Sequence, residues 1–388
     1  MKSAGNKKFY IISLALVVSF CAVVETTYRL TKGPVPDPNN NGDLFCIPDR
    51  ILGYRFRPGA IAPQGKDVNC INNVGLRGDD IATPKRPNTY RILCVGDSST
   101  NGVNVHNQET YPGILGAFLK HTKFNGNLNV EVVNAGVPGY LSDQHAYLLE
   151  RKYFHLEPDL IVFMMGVTDV SVTLMPTETS DAIRGIRRDS RYLPSTLDDF
   201  LQKHSSAYYW GSKSLRDYLE LKTLEKDEKK DLTKDIESEL SIYKKNYQAM
   251  IDKCKEHGIA VLNVNFPWNF SARVGREDNY TPLKDEIKYF EFNLYWQAMP
   301  ILAKANQDLA NKNEIINVDI QPYVSRSKNR LVFFGSGDFS HPSIEGNFLI
   351  ASKVYESIVN NILPDKVKAT CDGIDLANEY LLGIPPRD

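Results

Sequence analysis

The sequence predicts an α/β protein built around a three-layer, doubly wound parallel sheet of about five strands. Five short apolar runs carry this prediction, and helical patterns separate them. The runs lie at 91–96, 130–134, 159–166, 259–264 and 315–319. Continuous apolar runs are typical of parallel strands that are buried on both faces, whereas half-exposed strands alternate between apolar and polar residues.

The helices between these runs are predicted from their periodicity. Six apolar residues before the fourth run fall on one helical face, and Gly258 stands where a helix C-terminus favours glycine. The six are Leu240, Tyr243, Tyr247, Met250, Ile251 and Cys254. A similar stripe predicts a last helix at 344–362. Residues 175–240 break the alternation, and we expect them to form a helical insertion at the ligand end of the sheet.

Composition excludes several classes of protein. Lys and Arg number 46 and Asp and Glu 47, so the near-balanced charge argues against a general binder of nucleic acid or anionic lipid. The hydrophobic fraction of 42% is that of an ordinary globular protein. Six cysteines without a CxxC pair support neither a disulfide scaffold nor a zinc cage. An exported environment would allow Cys46 and Cys70 to pair.

The N-terminal segment predicts the compartment. Residues 9–24 are mostly apolar and uncharged, and Lys2, Lys7 and Lys8 precede them. No small-residue cleavage site follows, which favours an uncleaved single-pass signal-anchor over a cleaved signal peptide or a buried helix. Positive residues stay in the cytoplasm, so we expect the rest of the chain to be periplasmic or extracellular.

The chain is therefore predicted to contain four parts. Residues 1–30 form a cytoplasmic tip and transmembrane anchor, and residues 31–87 form a linker and an N-terminal extension that includes a turn at 73–78. Residues 88–365 form the main domain, which contains the insertion, and residues 366–388 form a C-terminal tail.

Four motifs stand at strand ends or before the last helix, where a parallel sheet binds its ligands. They are GDS at 96–98, NAGVPG at 134–139, GVTD at 166–169 and DFSH at 338–341. Each alone has an ordinary structural explanation, since Asp and Ser cap helices and a single His is more often structural than catalytic. The phosphate-loop pattern and the GxSxG pattern are both absent.

The joint order of the four motifs resembles the SGNH (GDSL-type) hydrolase family over roughly residues 88–362. The segments at 53–55 and 73–78 also resemble the stretch that precedes this domain in membrane-anchored bacterial members. The resemblance implies the flavodoxin-like fold of the family and a serine-dependent reaction that needs no cofactor and no metal.

The resemblance also implies a role for each matching residue. Ser98 matches the nucleophile, His341 the general base, and Asp338 the residue that orients the imidazole. The oxyanion hole would be formed by the N–H groups of Ser98 and Gly139 and by the side chain of Thr168. The family usually has Asn at position 168, so a shorter donor stands here, and loss of one such donor can cost about 100-fold in turnover.

We therefore expect an esterase or lipase-like acyl hydrolase that faces the outer side of a membrane and forms an acyl-enzyme on Ser98. Its expected partners are acyl esters on carbohydrate or lipid, and no nucleic acid. Two alternatives remain. A sugar hydroxyl could replace water as the acceptor, which would make the protein a polysaccharide O-acyltransferase, or the chain could be a non-catalytic carbohydrate-binding protein.

Overall fold

The computed structural model describes most of the chain in two compact units. The described residues are 3–32, 45–49, 51–62, 65, 67–174, 205–207, 232–268, 298–326 and 341–370. The first unit comprises Met1–Arg55 and Thr177–Lys230, and the second comprises Phe56–Pro176 and Asp231–Asp388. Residues 56–87, which the sequence predicts as part of an extension, thus belong to the same unit as the main domain.

The first unit contains a long N-terminal helix. Helix α1 spans Ser3–Lys32 and includes the apolar run at 9–24. Two short strands follow and pair with each other, β1 (Cys46–Asp49) and β2 (Gly53–Phe56). Among the residues described, no helix is both long and apolar enough to span a bilayer. The predicted insertion at 175–240 lies outside the described residues, apart from 205–207 and its last part.

The second unit is organised by a five-stranded parallel sheet, as the sequence predicts. Its strands are β3 (Thr89–Gly96), β5 (Asn129–Gly136), β6 (Leu160–Met164), β7 (Ala260–Asn265) and β8 (Ile316–Asp319). They lie in the order β5-β3-β6-β7-β8. A small antiparallel pair, β4 (Lys123–Phe124) with β9 (Val367–Ala369), stands apart from this sheet.

The strand order explains where a ligand site can form. The chain leaves β3 for the neighbour β5 on one side and then returns past β3 to β6 on the other side. The register brings Gly96 opposite both Gly136 and Met164, so the carboxyl ends of these three strands meet. A reversal of this kind opens a crevice at the carboxyl end of the central strand, which is β3 here.

Helices cover both faces of the sheet, which gives three layers. They are α2 (Ser98–Asn101), α3 (Tyr111–His121), α4 (Ser142–Leu148), α5 (Val167–Leu174), α6 (Leu232–Glu256), α7 (Met299–Asn313), α8 (Gln321–Arg326) and α9 (Ile344–Ser357). Helices α3 and α9 pack together, and α4, α5 and α7 pack around α6. The α/β class and the doubly wound sheet are confirmed.

Burial agrees with the sequence patterns. Residues 92–95 of β3 have no exposed surface, as expected for a strand covered on both faces. The six residues of the predicted α6 stripe are all buried, and Gly258 adopts a left-handed conformation with φ of 68° just after the helix. The last predicted helix is α9, which continues into a π-helical turn at Ile358–Ile362.

The two cysteines that export would allow to pair lie in different units. Cys46 is half-buried in the first unit and Cys70 is buried in the second, so their pairing stays a prediction. Cys70 is buried, where its Sγ donates a hydrogen bond to the carbonyl of Gly78 at 3.2 Å and accepts one from Asn107 Nδ2 at 3.1 Å.

Candidate active site

The turn that carries Ser98 is fixed by close packing at the end of β3. A Cβ on Gly96 would lie 2.1 Å from the carbonyl oxygen of Met164 and 2.2 Å from Thr100 Oγ1, so only glycine fits there. Asp97 follows and caps α2, because its carboxylate accepts a hydrogen bond from the N–H of Ser99 at 3.1 Å. Ser98 is the first residue of α2 and is only partly buried.

The structure brings Ser98 and His341 into contact across 243 positions of sequence. Nε2 of His341 lies 2.8 Å from Oγ of Ser98, within hydrogen-bond distance. An imidazole nitrogen at this distance can accept the hydroxyl proton when it is unprotonated. Asp338, predicted to orient the imidazole, lies outside the described residues.

The loop that carries His341 is tied to the rest of the unit by a buried side chain that the sequence reasoning missed. Asn347 of α9 donates through Nδ2 to the carbonyl of Pro342 at 3.0 Å, and its Oδ1 accepts from the N–H of Tyr111 at 2.9 Å. Ser343 caps α9 by accepting from the N–H of Gly346 at 3.1 Å. These bonds fix the chain directly after the histidine.

The β5–α4 loop, which contains Gly139, begins in contact with this turn. A Cβ on Gly136 would lie 2.2 Å from the backbone nitrogen of Asn101, so the end of β5 packs directly against α2. The N–H of Val137 also donates to the carbonyl of Gly96 at 2.9 Å. Gly139 has a φ of 69°, a left-handed conformation that favours glycine. The N–H of Gly139 stays a predicted oxyanion donor.

Thr168 has a partner that the sequence did not reveal. Its Oγ1 donates to Oδ2 of Asp97 at 3.1 Å, and its N–H lies 3.4 Å from the same oxygen. A hydroxyl has one proton, so a threonine that donates to Asp97 has no proton left for a substrate oxygen. Its predicted role in the oxyanion hole would require the hydroxyl to rotate away from Asp97.

Asp97 is an unusual neighbour for a nucleophile because it is almost fully buried, with 2% of its surface exposed. Burial raises the pKa of this carboxyl. The hydrogen bonds from Ser99 and Thr168 and the charge of His341 all act in the opposite direction. The GDS motif predicted Asp97 only as a cap, and no pattern in the sequence indicates that it also binds Thr168.

Asp169 holds the β5–α4 loop at its far end. Its Oδ1 accepts from the hydroxyl of Ser142 at 2.5 Å and from the N–H of Ser142 at 3.1 Å. Asn246 of α6 donates to the same hydroxyl at 3.1 Å. Nothing in the sequence indicates that Ser142 contacts Asp169 or that Asn246 contacts Ser142, because they lie 27 and 77 residues away from Asp169 along the chain.

A separate cleft of about 450 Å³ lies between residues 67–81, α3 and β5. Neither Ser98 nor His341 lines it. Its volume is therefore no guide to the substrate site, and the reacting pair locates that site instead.

Comparisons with known proteins agree with the motifs. Residues 94–348 match the model of the GDSL-like lipase/acylhydrolase family. None of the curated proteins compared with the chain matches it. Three solved structures resemble it at 14% identity: a lipase/acylhydrolase from Enterococcus faecalis, a catalytic mutant of an acetylxylan esterase from Geobacillus stearothermophilus, and an alpha/beta hydrolase enzyme from the metagenome of Lake Arreo, Spain.

The first structure covers 72% of this chain and 98% of its own, with a TM-score of 0.41. The second and third each cover 69% of this chain and 94% of their own, with TM-scores of 0.40 and 0.39. The family model spans well over half of the sequence, including GDS at 96–98 and His341. The chain belongs to the GDSL-like lipase/acylhydrolase family.

Proposed function

We propose that this carboxylic ester hydrolase acts through a covalent acyl-enzyme on Ser98, with His341 as the general base. The single observation that carries the proposal is the 2.8 Å contact between His341 Nε2 and Ser98 Oγ. Nucleophile and base within hydrogen-bond reach, at the switch point of a parallel sheet, are the arrangement that serine-dependent acyl transfer requires.

The first half of the reaction forms the acyl-enzyme. Ser98 Oγ attacks the ester carbonyl carbon as its proton passes to His341 Nε2, and the carbonyl oxygen becomes an oxyanion. The intermediate collapses when the bond to the leaving alcohol breaks and His341 returns the proton to that alcohol. The backbone N–H groups of Ser98 and Gly139 are the proposed oxyanion donors.

The second half releases the acid. Water gives a proton to His341 and attacks the acyl carbonyl, the bond to Ser98 Oγ breaks, and His341 returns the proton to the serine. Asp338 is proposed to hold the other imidazole nitrogen, as the family motif implies. An acceptor hydroxyl in place of water would give the acyltransferase reaction with the same residues.

The test uses the full chain with p-nitrophenyl acetate and longer acyl esters, together with a fluorophosphonate probe. Ser98→Ala should abolish both turnover and labelling, and His341→Ala should lower each by about 100-fold or more. Ser357→Ala, at the end of α9, is the matched control for the serine and His106→Ala for the histidine, and both should stay near wild type. A wild type that neither labels nor exceeds Ser98→Ala would favour the non-catalytic binding alternative.

The substrate and location are also proposals. We propose that the natural substrate is an O-acylated carbohydrate or lipid outside the cytoplasm, reached from a membrane-tethered position. The apolar run at 9–24 and the lysines before it support this location. Fractionation of cells and digestion by an external protease test it, and added oligosaccharide acceptors distinguish acyl transfer from hydrolysis by the product that accumulates.

A further inference from the structure

A buried arginine from residues 67–81 holds the turn that carries the nucleophile. Arg77 has 3% of its surface exposed, and its guanidinium is saturated with hydrogen bonds to oxygen atoms. Its five acceptors are Asn101 O at 2.8 Å, Gly102 O at 2.5 Å, Val105 O at 2.6 Å, Val68 O at 3.3 Å and Asn107 Oδ1 at 2.9 Å. Three of these acceptors are backbone carbonyls at, or just beyond, the end of α2.

Helix α2 cannot hold its own position. It consists of four residues from Ser98 to Asn101, and a single helical turn is unstable in isolation. The carbonyl groups at its C-terminal end have no donors within the helix. The planar guanidinium of Arg77 supplies several donors in fixed directions and a positive charge at that end. Burial lowers the pKa of Arg77 to about 10, so the group stays charged at neutral pH.

Arg77 is itself fixed by its backbone. Its N–H donates to the carbonyl of Asn134 on β5 at 3.2 Å. The neighbouring turn is closed by hydrogen bonds from the N–H of Gly78 to the carbonyl of Cys70 at 2.9 Å and from the N–H of Asn72 to that of Leu76 at 2.7 Å. The main chain of Arg77 is thus attached to the edge strand, while its side chain is attached to α2.

We propose that Arg77 is a positioning residue for Ser98, acting through the backbone of α2 to set the distance between the serine hydroxyl and His341. The inference rests on the proposed function of Ser98. Arg77 touches neither of the reacting side chains, and its effect passes through the carbonyls of Asn101 and Gly102. Misplacement of a reacting group by about 1 Å can cost roughly 100-fold in rate, so a residue that fixes this turn affects the reaction strongly.

A second buried arginine provides a matched control. Arg91 is likewise almost fully buried, and its side chain donates to the carboxylate of Glu131 and to the carbonyls of Leu156 and Ala82. It lies near the start of β3, at the end of the strand away from Ser98. Its loss should therefore cost stability without altering the turn that carries the nucleophile.

The experiment measures the rate constant for fluorophosphonate labelling of Ser98, and kcat and KM for p-nitrophenyl acetate, on the full chain at a temperature where each variant is folded. Arg77→Met should slow labelling and lower kcat by about 10- to 100-fold with KM little changed. Arg77→Lys keeps the charge but loses the planar set of five donors, and its labelling rate and kcat should fall between those of Arg77→Met and wild type. Arg91→Met should lower Tm but label within about twofold of wild type.

The outcomes separate this inference from the function on which it rests. A wild-type chain that is not labelled contradicts the proposed function. A labelled wild type together with a folded Arg77→Met that is labelled equally fast overturns the role of Arg77, as does an equal loss in Arg91→Met.

If Arg77→Met does not fold, two milder variants decide. Arg77→Lys should label more slowly than wild type, and Asn107→Ala, which removes the acceptor of Nε together with the hydrogen bond to Cys70 Sγ, should label about threefold more slowly. Wild-type labelling rates in both variants would overturn the positioning role of Arg77. Failure of both variants to fold while Arg91→Lys folds would also overturn it, because Arg77 would then be required for folding and not for positioning.

Discussion

Replacement of Thr168 by asparagine is expected to make the enzyme faster. The single hydroxyl proton of Thr168 is donated to Asp97 Oδ2 at 3.1 Å, so the threonine cannot donate to a substrate oxygen at the same time. An asparagine amide carries two protons and reaches about one bond length, roughly 1.3 Å, further from the main chain. It can keep the bond to Asp97 and direct its second proton into the site.

The expected increase in kcat follows from the contribution of one oxyanion donor to the rate. Removal of such a donor costs about 100- to 1000-fold in kcat, or about 2.7–4 kcal/mol. An amide that also stays bonded to Asp97 will not reach the ideal direction, so we expect Thr168→Asn to raise kcat by about 10-fold or more. Because the gain arises only when the oxyanion forms, KM should change little.

Thr168→Val is the matched control, since it keeps the shape of the side chain and removes the hydroxyl. If the threonine hydroxyl serves Asp97 and not the substrate, the valine variant should lose about 1–3 kcal/mol of stability, because a buried carboxylate loses a donor. Its kcat should stay within about threefold of wild type. Both constants would be measured with p-nitrophenyl acetate, after titration of active sites with the fluorophosphonate.

Two results would refute this reasoning. A folded Thr168→Asn with the kcat of wild type would show that a third donor does not limit the reaction. A Thr168→Val variant that loses 100-fold in kcat at unchanged stability would show that the threonine hydroxyl already turns toward the substrate during turnover.

Three further predictions concern the groups around Ser98. Gly136→Ala should lower labelling of the serine by about 10-fold or prevent folding, because its Cβ would lie 2.2 Å from the nitrogen of Asn101; unchanged labelling and Tm would contradict this packing. Asp97→Asn should gain stability relative to wild type as pH rises from 4 to 8, measured by urea denaturation. Burial raises the pKa of the Asp97 carboxyl, so the stability that its protonated form contributes is complete below the ordinary carboxyl pKa and is lost as pH rises through the raised pKa. A stability difference that is constant or reversed with pH would contradict it. Ser142→Ala should cost about 1–3 kcal/mol of stability, because Asp169 loses its hydroxyl donor, and hydrogen exchange should show greater opening of the β5–α4 loop; unchanged exchange would contradict a brace.

The parts of the fold that the sequence predicted are those fixed by local physics. Each strand of the sheet shows as an apolar run because both of its faces are buried, and α6 shows as a stripe because only one of its faces is buried. The contact between Ser98 and His341 was expected from a family resemblance, since residues 243 positions apart leave no periodic signal. Periodicity alone gave the sheet and could not give the site.

The partners of buried polar groups could not be predicted, because they depend on distant backbone atoms. The turn at 73–78 was expected, but nothing in it indicates that the Arg77 side chain ends at the carbonyls of α2. The family resemblance assigns Thr168 to the oxyanion hole, whereas its partner in the structure, Asp97, is brought to it only when β3 and β6 lie side by side. The pairing of Cys46 with Cys70 stays a prediction for a related reason, because a compartment decides whether a disulfide is permitted and not which sulfur atoms meet.

The buried charged groups near Ser98 share a structural role that explains why the fold keeps them although burial of a charge is unfavourable. Asp97, Asp169 and Arg77 are each at most 3% exposed, and a buried charge is tolerated only when hydrogen bonds compensate for lost solvation. Each of them bonds backbone or hydroxyl groups of the turns that follow β3, β5 and β6. These turns must stay in place while charge develops on the substrate, because donors that are already oriented need no rearrangement in the transition state. Substitutions at these three positions should therefore lower kcat more than they raise KM, although none of the three is proposed to touch the substrate.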